Sequence, residues 1–255
     1  MGKTALITGA TSGIGKATAR LFAEHKFDLI ITGRREDRLN ALASEIESQY
    51  AVKVQSLCFD VREYEAVTQS IDALKSQNQP IDVLVNNAGL ASGLDKLQDG
   101  DVEDWNKMID TNVKGLLYMS RQVIPIMIEQ GHGHIVNIGS IAGKEVYPNG
   151  NVYCGTKHMV DALNKSMRRE LAEHGIKVSA VNPGAVETEF SLVRLHGNED
   201  KAKKVYDGFK NLVAYDIADA VLYIVTRPEH VNINDLIIMP KAQPAAGTII
   251  RNKGY

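Results

Sequence analysis

A tyrosine and a lysine stand four positions apart in the stretch YCGTKH, at Tyr153 and Lys157. In an α-helix, residues with this spacing share one face and lie one turn of about 5.4 Å apart. A free phenol has a pKa of about 10, and an ammonium about 5 Å away, at an effective dielectric constant of about 20, favours the phenolate by roughly 3 kcal/mol. We therefore expect Lys157 to lower the pKa of Tyr153 by about 2, which would let the phenol exchange protons close to working pH.

A glycine-rich stretch, TGATSGIGK, follows the first apolar run, and a helical pattern starts at Ile14. Its glycines are Gly9, Gly13 and Gly15. Such glycines let the backbone approach a ligand and point a helix N-terminus at a phosphate, although a strand-to-helix turn can also need glycine for steric reasons alone. A Walker phosphate loop is disfavoured, because Ala10 and Ala17 replace its first glycine and its magnesium-binding hydroxyl. The stretch predicts a nucleotide site.

Two arginines, Arg34 and Arg35, follow the second apolar run in the stretch TGRR. Arginine forks match a phosphate in shape and charge, and a ribose 2′-phosphate is nearly a dianion at neutral pH, so this turn predicts NADP(H) rather than NAD(H). No carboxylate for a ribose hydroxyl is present there, because Asp28 begins the run and lies at the opposite end of the predicted strand. One of the two arginines could instead only cover the next helix.

Short runs rich in branched apolar residues alternate with helical patterns and place these residues in a fold. The runs are residues 4–8, 28–32, 52–59, 81–86, 134–138, 177–182 and 235–239. Nearly continuous apolar runs are typical of parallel strands that helices cover on both faces. We predict an α/β fold, with a single doubly wound Rossmann domain over residues 1–255 and a mostly parallel seven-stranded sheet between two helical layers. Longer helical patterns span residues 101–129 and 152–174.

The stretch 190–212 interrupts this alternation and is crowded with charged residues. It follows the sixth run, on the side where ligands bind in such sheets, which predicts a mobile substrate lid. Arg194 within it is a candidate for binding a substrate carboxylate through a fork-to-fork pair. A solvated surface charge is the alternative interpretation of this arginine.

Composition disfavours several classes of partner. The chain has 255 residues, a net charge of -2 and 24% charged residues, so it offers no basic excess for nucleic acid. No apolar run reaches the roughly 20 residues that a membrane span needs, which predicts a cytoplasmic protein without a membrane partner. Cys58 and Cys154 form no C-x-x-C pair, and His132 and His134 have no third ligand nearby, so we expect reduced thiols and no metal.

Several motifs, taken together and in order, resemble the short-chain dehydrogenase/reductase family, and the resemblance covers nearly the whole chain. They are TGATSGIG, DV at 60–61, NNAG at 86–89, NIGS ending at Ser140 together with YCGTK, and NPG at 182–184. The family resemblance implies an NADP(H)-dependent oxidoreductase with a small-molecule substrate. It also implies a homotetramer built on the two long helical patterns.

The resemblance implies a catalytic tetrad, which consists of Asn112, Ser140, Tyr153 and Lys157. Ser140 would hold the substrate oxygen, and Asn112 would position Lys157 and a water chain that replaces the proton. The implied substrate contacts are Ser140, Tyr153 and Arg194. The implied cofactor contacts are Gly9, Thr11, Ser12, Gly13, Ile14, Gly15, Arg34, Arg35, Asp60, Val61, Asn86, Ala88, Gly89, Tyr153, Lys157, Pro183, Gly184, Val186 and Thr188.

Within the family, the stretches YPNGNVYCGTKHMV and VETEFSLVRLHGNEDKAKKVY look most like the NADP-dependent dehydrogenases of serine, allo-threonine and related short 3-hydroxy acids. Lys144 and Glu145 fall near the expected pocket, and the sequence leaves open whether they change its size or polarity. Two alternatives stay open. One is reduction of another carbonyl, such as a 3-oxoacyl carrier-protein thioester, for which Lys201, Lys203 and Lys204 offer a thin basic patch, or a simple ketone. The other is a dinucleotide sensor without activity, which the intact tyrosine and lysine disfavour.

Overall fold

A parallel β-sheet forms the centre of the computed structural model, which describes residues 2–251. The strands are β1 (Thr4–Ile7), β2 (Asp28–Gly33), β3 (Val54–Cys58), β4 (Val83–Asn86), β5 (Gly133–Ile138), β6 (Ile176–Pro183), β7 (Val186–Glu187), β8 (Leu212–Val213) and β9 (Asp235–Ile238). The main sheet has seven strands in the order β3-β2-β1-β4-β5-β6-β9, all paired in parallel. Each of the seven apolar runs overlaps one strand of this sheet, so the predicted fold class is confirmed.

Helices cover both faces of this sheet. They are α1 (Gly13–Glu24), α2 (Glu36–Gln49), α3 (Tyr64–Ser76), α4 (Val102–Ile109), α5 (Leu116–Gln130), α6 (Asn151–Leu171), α7 (Phe190–Arg194), α8 (Glu199–Tyr206) and α9 (Ala214–Val225). Successive strand residues point to opposite faces. Ile7 packs with α1, α2 and α9, whereas Leu6 packs with α3, α5 and α6. The strands are apolar at nearly every position because each face has its own core.

The predicted helix over 101–129 is interrupted. Between α4 and α5 lies a π-helical turn, Asp110–Gly115, in which Asn112 is buried. Such wide turns are rare and are found often at functional sites. A Cβ on Gly115 would lie 2.7 Å from Val61 Cγ2, so the turn needs glycine to pack against the loop after β3. The second long pattern forms α6 followed by one short 3-10 turn, Ala172–His174.

The predicted lid, residues 190–212, folds into α7 and α8. The pairing of β7 with β8 brings its two ends together. Tyr206 on α8 donates from its hydroxyl to the Val186 carbonyl of β7 at 2.9 Å. The same hydroxyl lies 2.7 Å from that of Ser191 on α7, so both helices are joined to β7. Arg251 donates to the Val205 carbonyl at 3.1 Å near the end of α8. The mobility of this segment stays a prediction.

The carboxyl ends of the parallel strands meet at one edge of the sheet. The strand order reverses between β1 and β4, and a crevice opens at such a point in doubly wound sheets. The glycine loop follows β1, the two arginines follow β2, and Ser140 follows β5, so the topology collects the predicted residues around this crevice. Among the helices of residues 2–251, none combines the length and the apolar character of a membrane span.

Candidate active site

A cleft of about 330 Å³ lies at this edge of the sheet. Residues from the ends of β1 to β6 line it, and the lid segment closes one side. Most of the predicted site residues line it: Gly9, Thr11, Ser12, Gly13, Ile14, Arg34, Arg35, Asp60, Val61, Ala88, Gly89, Ser140, Tyr153, Lys157, Pro183, Gly184, Val186 and Thr188. Gly15, Asn86, Asn112 and Arg194 lie outside its lining.

The glycine loop holds the start of α1 open toward the cleft. Gly13 has a φ of +52° and Gly9 a φ of +67°, conformations that disfavour any side chain. The Ser12 side chain makes no capping hydrogen bond, and the first turn of α1 contains no acidic residue. The free N–H groups and the positive end of the helix can therefore bind an anion. Gly15 has a different task, since its Cβ would lie 2.5 Å from the Gly9 carbonyl oxygen, and it allows close packing of the helix on the loop.

The two arginines after β2 differ in their partners. Arg35 donates from Nη2 to the hydroxyls of Thr11 at 2.9 Å and Ser12 at 3.1 Å, which joins it to the glycine loop. Arg34 lies 3.6 Å from Asp60 and is more exposed. Asp28 accepts from the Lys53 backbone N–H at the opposite end of the sheet, as its position in the sequence indicates.

Asp60 follows β3 and is held by Arg62, a residue that the motifs did not indicate. The Arg62 side chain donates to Asp60 at 2.7 and 3.0 Å, and its backbone N–H donates at 3.0 Å. Burial acts to raise the pKa of Asp60, but these hydrogen bonds, with the charges of Arg62 and Arg34, hold it below its ordinary value. The carboxylate is therefore ionised and fixed at the wall of the cleft.

Tyr153, Ser140 and Lys157 meet at the other end of the cleft. Tyr153 and Lys157 lie one turn apart on α6, and both line the cleft. The Lys157 ammonium donates to the Ile138 carbonyl at 2.9 Å, and a Cβ on Gly89 would lie 3.6 Å from its Nζ. Ser140 follows β5, and its side chain lies close enough to Tyr153 to act against the rise in the pKa of the phenol. The expected cluster of hydroxyl, phenol and ammonium groups is thus present.

Burial overturns the expected acidity of the phenol in the ligand-free protein. Tyr153 is 8% exposed and Lys157 is 7% exposed. Loss of solvation raises the pKa of Tyr153 and lowers that of Lys157 to about 8. The lysine therefore loses its proton at a lower pH than the phenol, and no ammonium is left to stabilise a phenolate. The estimate from helical spacing omitted this desolvation.

Asn112 is buried behind the cleft wall rather than on its surface. Its amide exchanges two hydrogen bonds of 2.8 Å with the Leu90 backbone and donates to the Thr156 hydroxyl at 3.1 Å. These bonds join the loop after β4 to the turn of α6 that leads into Lys157. Asn112 thus holds the walls together, and its role in positioning Lys157 and a water chain stays a prediction.

Asn86 and Asn87 point to opposite sides of the sheet end. Asn86 is buried and donates to Ser120 at 3.1 Å and to Asn137 at 3.0 Å, so its side chain points away from the cleft, and its contact with a cofactor stays a prediction. Asn87 lines the cleft and donates to the Thr8 carbonyl at 2.8 Å. The alternation of side chains along a strand, applied to the NNAG motif, could have made this distinction.

Arg194 lies beside Tyr153 but faces a second, smaller pocket that Tyr153 also lines. It donates to the Tyr147 hydroxyl at 2.8 Å and to the Gly93 carbonyl at 3.2 Å. Its Cζ lies 5.5 Å from the ring centres of Tyr147 and Tyr153. Its Nη2 is buried without a hydrogen-bond partner. This donor is unsatisfied but enclosed, so an acceptor from a substrate reaches it only when the surrounding side chains move.

Lys144 and Glu145 point away from the cleft. The Lys144 ammonium binds Asp161 and Asp235, and Glu145 accepts from the Ala246 backbone N–H at 2.8 Å. They fasten the loop after Ser140 to α6, β9 and the C-terminal segment. The structure thus shows that these two residues do not line the main cleft.

Several residues that line the cleft belong to none of the sequence motifs. Phe190 opens α7, and its ring meets the Tyr153 ring edge-on at a centroid distance of 5.6 Å. Glu189, directly before the lid segment, and Val193 within it also line the cleft. The signal that could have found them was the place of this segment after β6, without any fixed spacing.

His132 pairs with Asp82 and the buried His134 with Ser179, and residues 2–251 contain no cluster of metal-ligand side chains.

Comparison with known proteins gives three consistent results. A family model described as short chain dehydrogenase matches residues 3–197. The NADP-dependent 3-hydroxy acid dehydrogenase of Schizosaccharomyces pombe is 44% identical over 253 residues, 99% of this chain and 98% of that one. Sulfoacetaldehyde reductase 2 of Chromohalobacter salexigens is 44% identical over 244 residues, 95% of this chain and 96% of that one.

A solved structure, the closed form of serine dehydrogenase complexed with NADP+, aligns with a TM-score of 0.90 at 42% identity. It covers 98% of this chain, and the match spans 100% of that chain. These relatives match the chain over almost its whole length, which includes the glycine loop, the strand ends and the buried Tyr153 and Lys157 described above. The chain belongs to the short-chain dehydrogenase family.

Proposed function

We propose that the protein is an oxidoreductase that transfers a hydride between NADP(H) and a short 3-hydroxy acid or the corresponding keto compound. The observation that carries the proposal is one cleft with guanidinium groups at one end and a buried phenol, hydroxyl and ammonium at the other. The Schizosaccharomyces pombe relative, an NADP-dependent 3-hydroxy acid dehydrogenase, supports both the cofactor and the substrate class.

The residues present fit a dinucleotide with a 2′-phosphate. The glycine loop and the open start of α1 would hold the pyrophosphate. Arg34 and Arg35 would bind the 2′-phosphate, and Asp60 and Val61 would lie along the adenine. A bound nicotinamide would supply or accept the hydride. A Cβ on Gly9 would lie 3.0 Å from Ala88 Cα, so the absence of side chains there keeps this cradle open.

Tyr153 would exchange the proton. Because burial keeps its phenol protonated in the ligand-free protein, it is ready to donate to the substrate oxygen in the direction of reduction. Ser140, which lines the cleft together with Tyr153, would hold the same oxygen. Lys157, whose pKa is lowered to about 8 by burial, can change its charge close to working pH and so replace the proton. Asn112 would keep the loop and α6 in register around them.

Arg194 would bind the anionic end of the substrate. Its orphaned Nη2 and the neighbouring Tyr147 hydroxyl offer donors beside Tyr153. The same donors fit a sulfonate, so a short sulfonated aldehyde is a second candidate, which the Chromohalobacter salexigens relative favours. A carrier-protein substrate has weaker support, because Lys203 on α8 already pairs with Glu199 at 3.8 Å and thins the basic patch.

A panel of short 3-hydroxy acids, a sulfonated aldehyde, neutral ketones and a 3-oxoacyl carrier-protein thioester, assayed with NADP(H) by nicotinamide absorbance, tests this proposal. We expect the highest kcat/KM for the 3-hydroxy acids or their keto forms. Preference for the neutral ketones or the thioester would contradict the substrate class. No turnover despite tight NADPH binding would favour the sensor alternative.

We further propose that the protein works as a cytoplasmic homotetramer. Large apolar side chains remain exposed on two helices that flank the site, Leu117 and Ile128 on α5 and Met159 on α6. A second copy would cover such a surface. Light scattering on a sizing column should give four times the mass of the chain, and a monomer would contradict the proposal.

A further inference from the structure

Glu189 joins the lid segment to the arginines of the β2–α2 turn. Its Oε2 accepts from Arg35 at 3.2 Å and its Oε1 from Arg38 at 2.9 Å. Both of its oxygens are thus occupied by guanidinium groups, and the side chain lines the cleft. The motifs indicated neither Glu189 nor Arg38.

The charge of Glu189 is secure over the neutral range. Burial acts to raise its pKa, but the hydrogen bonds from Arg38 and Arg35 and their charges hold it below its ordinary value. Arg35 has further bonds to the hydroxyls of Thr11 and Ser12, which are neutral. Within residues 2–251, Glu189 is therefore the anion that balances Arg35 in the ligand-free protein.

Glu189 also stands at a junction in the chain. It directly precedes α7, whose first residue, Phe190, packs against the Tyr153 ring, and whose last residue, Arg194, lies over the same ring. Fewer than two helical turns thus separate the carboxylate that holds the arginines from the side chains that hold the tyrosine. A group that displaces Glu189 acts on the end of the segment that covers the substrate.

We infer that Glu189 is an internal competitor of the 2′-phosphate, which must displace it from Arg35 to bind. The inference rests on the proposed NADP(H) dependence. A phosphate carries more negative charge than the Glu189 carboxylate and accepts hydrogen bonds from the same guanidinium N–H groups. One guanidinium group cannot form the same paired hydrogen bonds with both anions at once. Glu189 therefore reduces the affinity for the phosphate and ties its binding to the position of α7.

Binding of adenosine 2′,5′-bisphosphate, measured by isothermal titration, tests this without turnover, with 5′-AMP as the ligand that lacks the 2′-phosphate. We expect Glu189→Gln to bind the bisphosphate about three- to tenfold more tightly than the wild type, because exposed ion pairs of modest strength no longer compete. Its affinity for 5′-AMP should stay within about twofold. Glu187→Gln is the matched control, since it removes the same charge two residues earlier from an exposed side chain that contacts Asn211.

A second set of variants separates competition from simple repulsion. In an Arg35→Gln and Arg38→Gln background, Glu189→Gln should no longer improve bisphosphate binding, because no ion pair remains to be released. An undiminished improvement there would contradict the competition. Weaker binding by Glu189→Gln alone would mean that the carboxylate preorganises the arginines, and this would overturn the inference.

The two failures can be told apart. If the wild type binds adenosine 2′,5′-bisphosphate no better than 5′-AMP, the proposed phosphate site itself is wrong. If the wild type prefers the bisphosphate and Glu189→Gln binds it with unchanged affinity, the phosphate site stands and the competition is refuted. Matching melting temperatures of the variants show that each one is folded.

Discussion

The two ends of the cleft use charge in opposite ways. At the end proposed to hold the 2′-phosphate, hereafter the phosphate end, the side chains of Arg34 and Arg35 are 60% and 38% exposed and meet carboxylates at 3.6 and 3.2 Å. At the reacting end, Tyr153 and Lys157 are almost completely buried, and the nearest bond of the ammonium is to the Ile138 carbonyl. Solvent screens the ion pairs of the two arginines, whereas it is excluded from Tyr153 and Lys157.

This difference separates recognition from chemistry. Exposed guanidinium groups contribute through the number and geometry of their bonds. Buried groups change their protonation instead, because desolvation disfavours whichever form is charged. The phosphate end should therefore control which cofactor binds, and the reacting end should control the rate and its pH dependence.

The largest effect is expected from removal of the buried phenol. Tyr153→Phe should lower kcat by roughly 10³-fold, since a positioned general acid contributes about that much. Binding of NADPH, measured by titration of its fluorescence, should change by less than about threefold, because the phosphate end is intact. Turnover close to that of the wild type would remove Tyr153 from the mechanism.

The next effect is at the phosphate end. Arg34→Ala combined with Arg35→Ala should raise the Kd for NADPH by about 100-fold, since two charge-assisted contacts are lost. The Kd for NADH should change by less than about threefold, which titration calorimetry can measure with both cofactors. Equal losses for the two cofactors would refute the assignment of the 2′-phosphate.

Lys157→Met should stabilise the fold. In the folded protein the pKa of Lys157 is about 8, below its ordinary value of 10.5. Burial of the charged amine therefore costs about 3 kcal/mol of folding free energy below pH 8. The hydrogen bond to the Ile138 carbonyl offsets about 1 kcal/mol of this cost. We expect a net gain of about 2 kcal/mol at pH 7 by urea unfolding.

The pH dependence of that gain has a definite sign. Below pH 8 both states of the wild type keep the lysine proton and the full cost is present. Between pH 8 and 10.5 the folded state binds fewer protons than the unfolded state, so the wild type becomes more stable as the pH rises. The gain should shrink through this window, and a constant or negative gain would contradict the assignment.

The smallest effect concerns the substrate anion. Arg194→Ala should raise KM for 3-hydroxy acids by about tenfold, with little change for neutral ketones, because only the acids lose a charged partner. Arg194→Lys is the matched control, since it keeps the charge and loses the fork. A similar increase for acids and ketones would assign Arg194 to the packing of Tyr147 and Tyr153 instead.

Sequence reasoning was most successful where local spacing determines position. The apolar runs predicted every strand of the main sheet, and the residues after β1, β2 and β5 were placed at one edge by topology alone. It failed where tertiary contacts decide. The π-helical turn around Asn112 has no distinct periodicity, and the burial that reverses the expected acidity of Tyr153 depends on packing of α6 against other elements. Glu189 was missed because its partners are far away in the sequence.

The most direct test of the account is the ionisation of Lys157 in the ligand-free protein. Its Cε resonance, followed by NMR in protein with isotope-labelled lysine and assigned by its absence from Lys157→Met, reports the charge of this one side chain. We predict a midpoint near pH 8, set by loss of solvation. A midpoint near the ordinary value of 10.5 would show that the reacting end is as well solvated as the phosphate end, and would contradict the account.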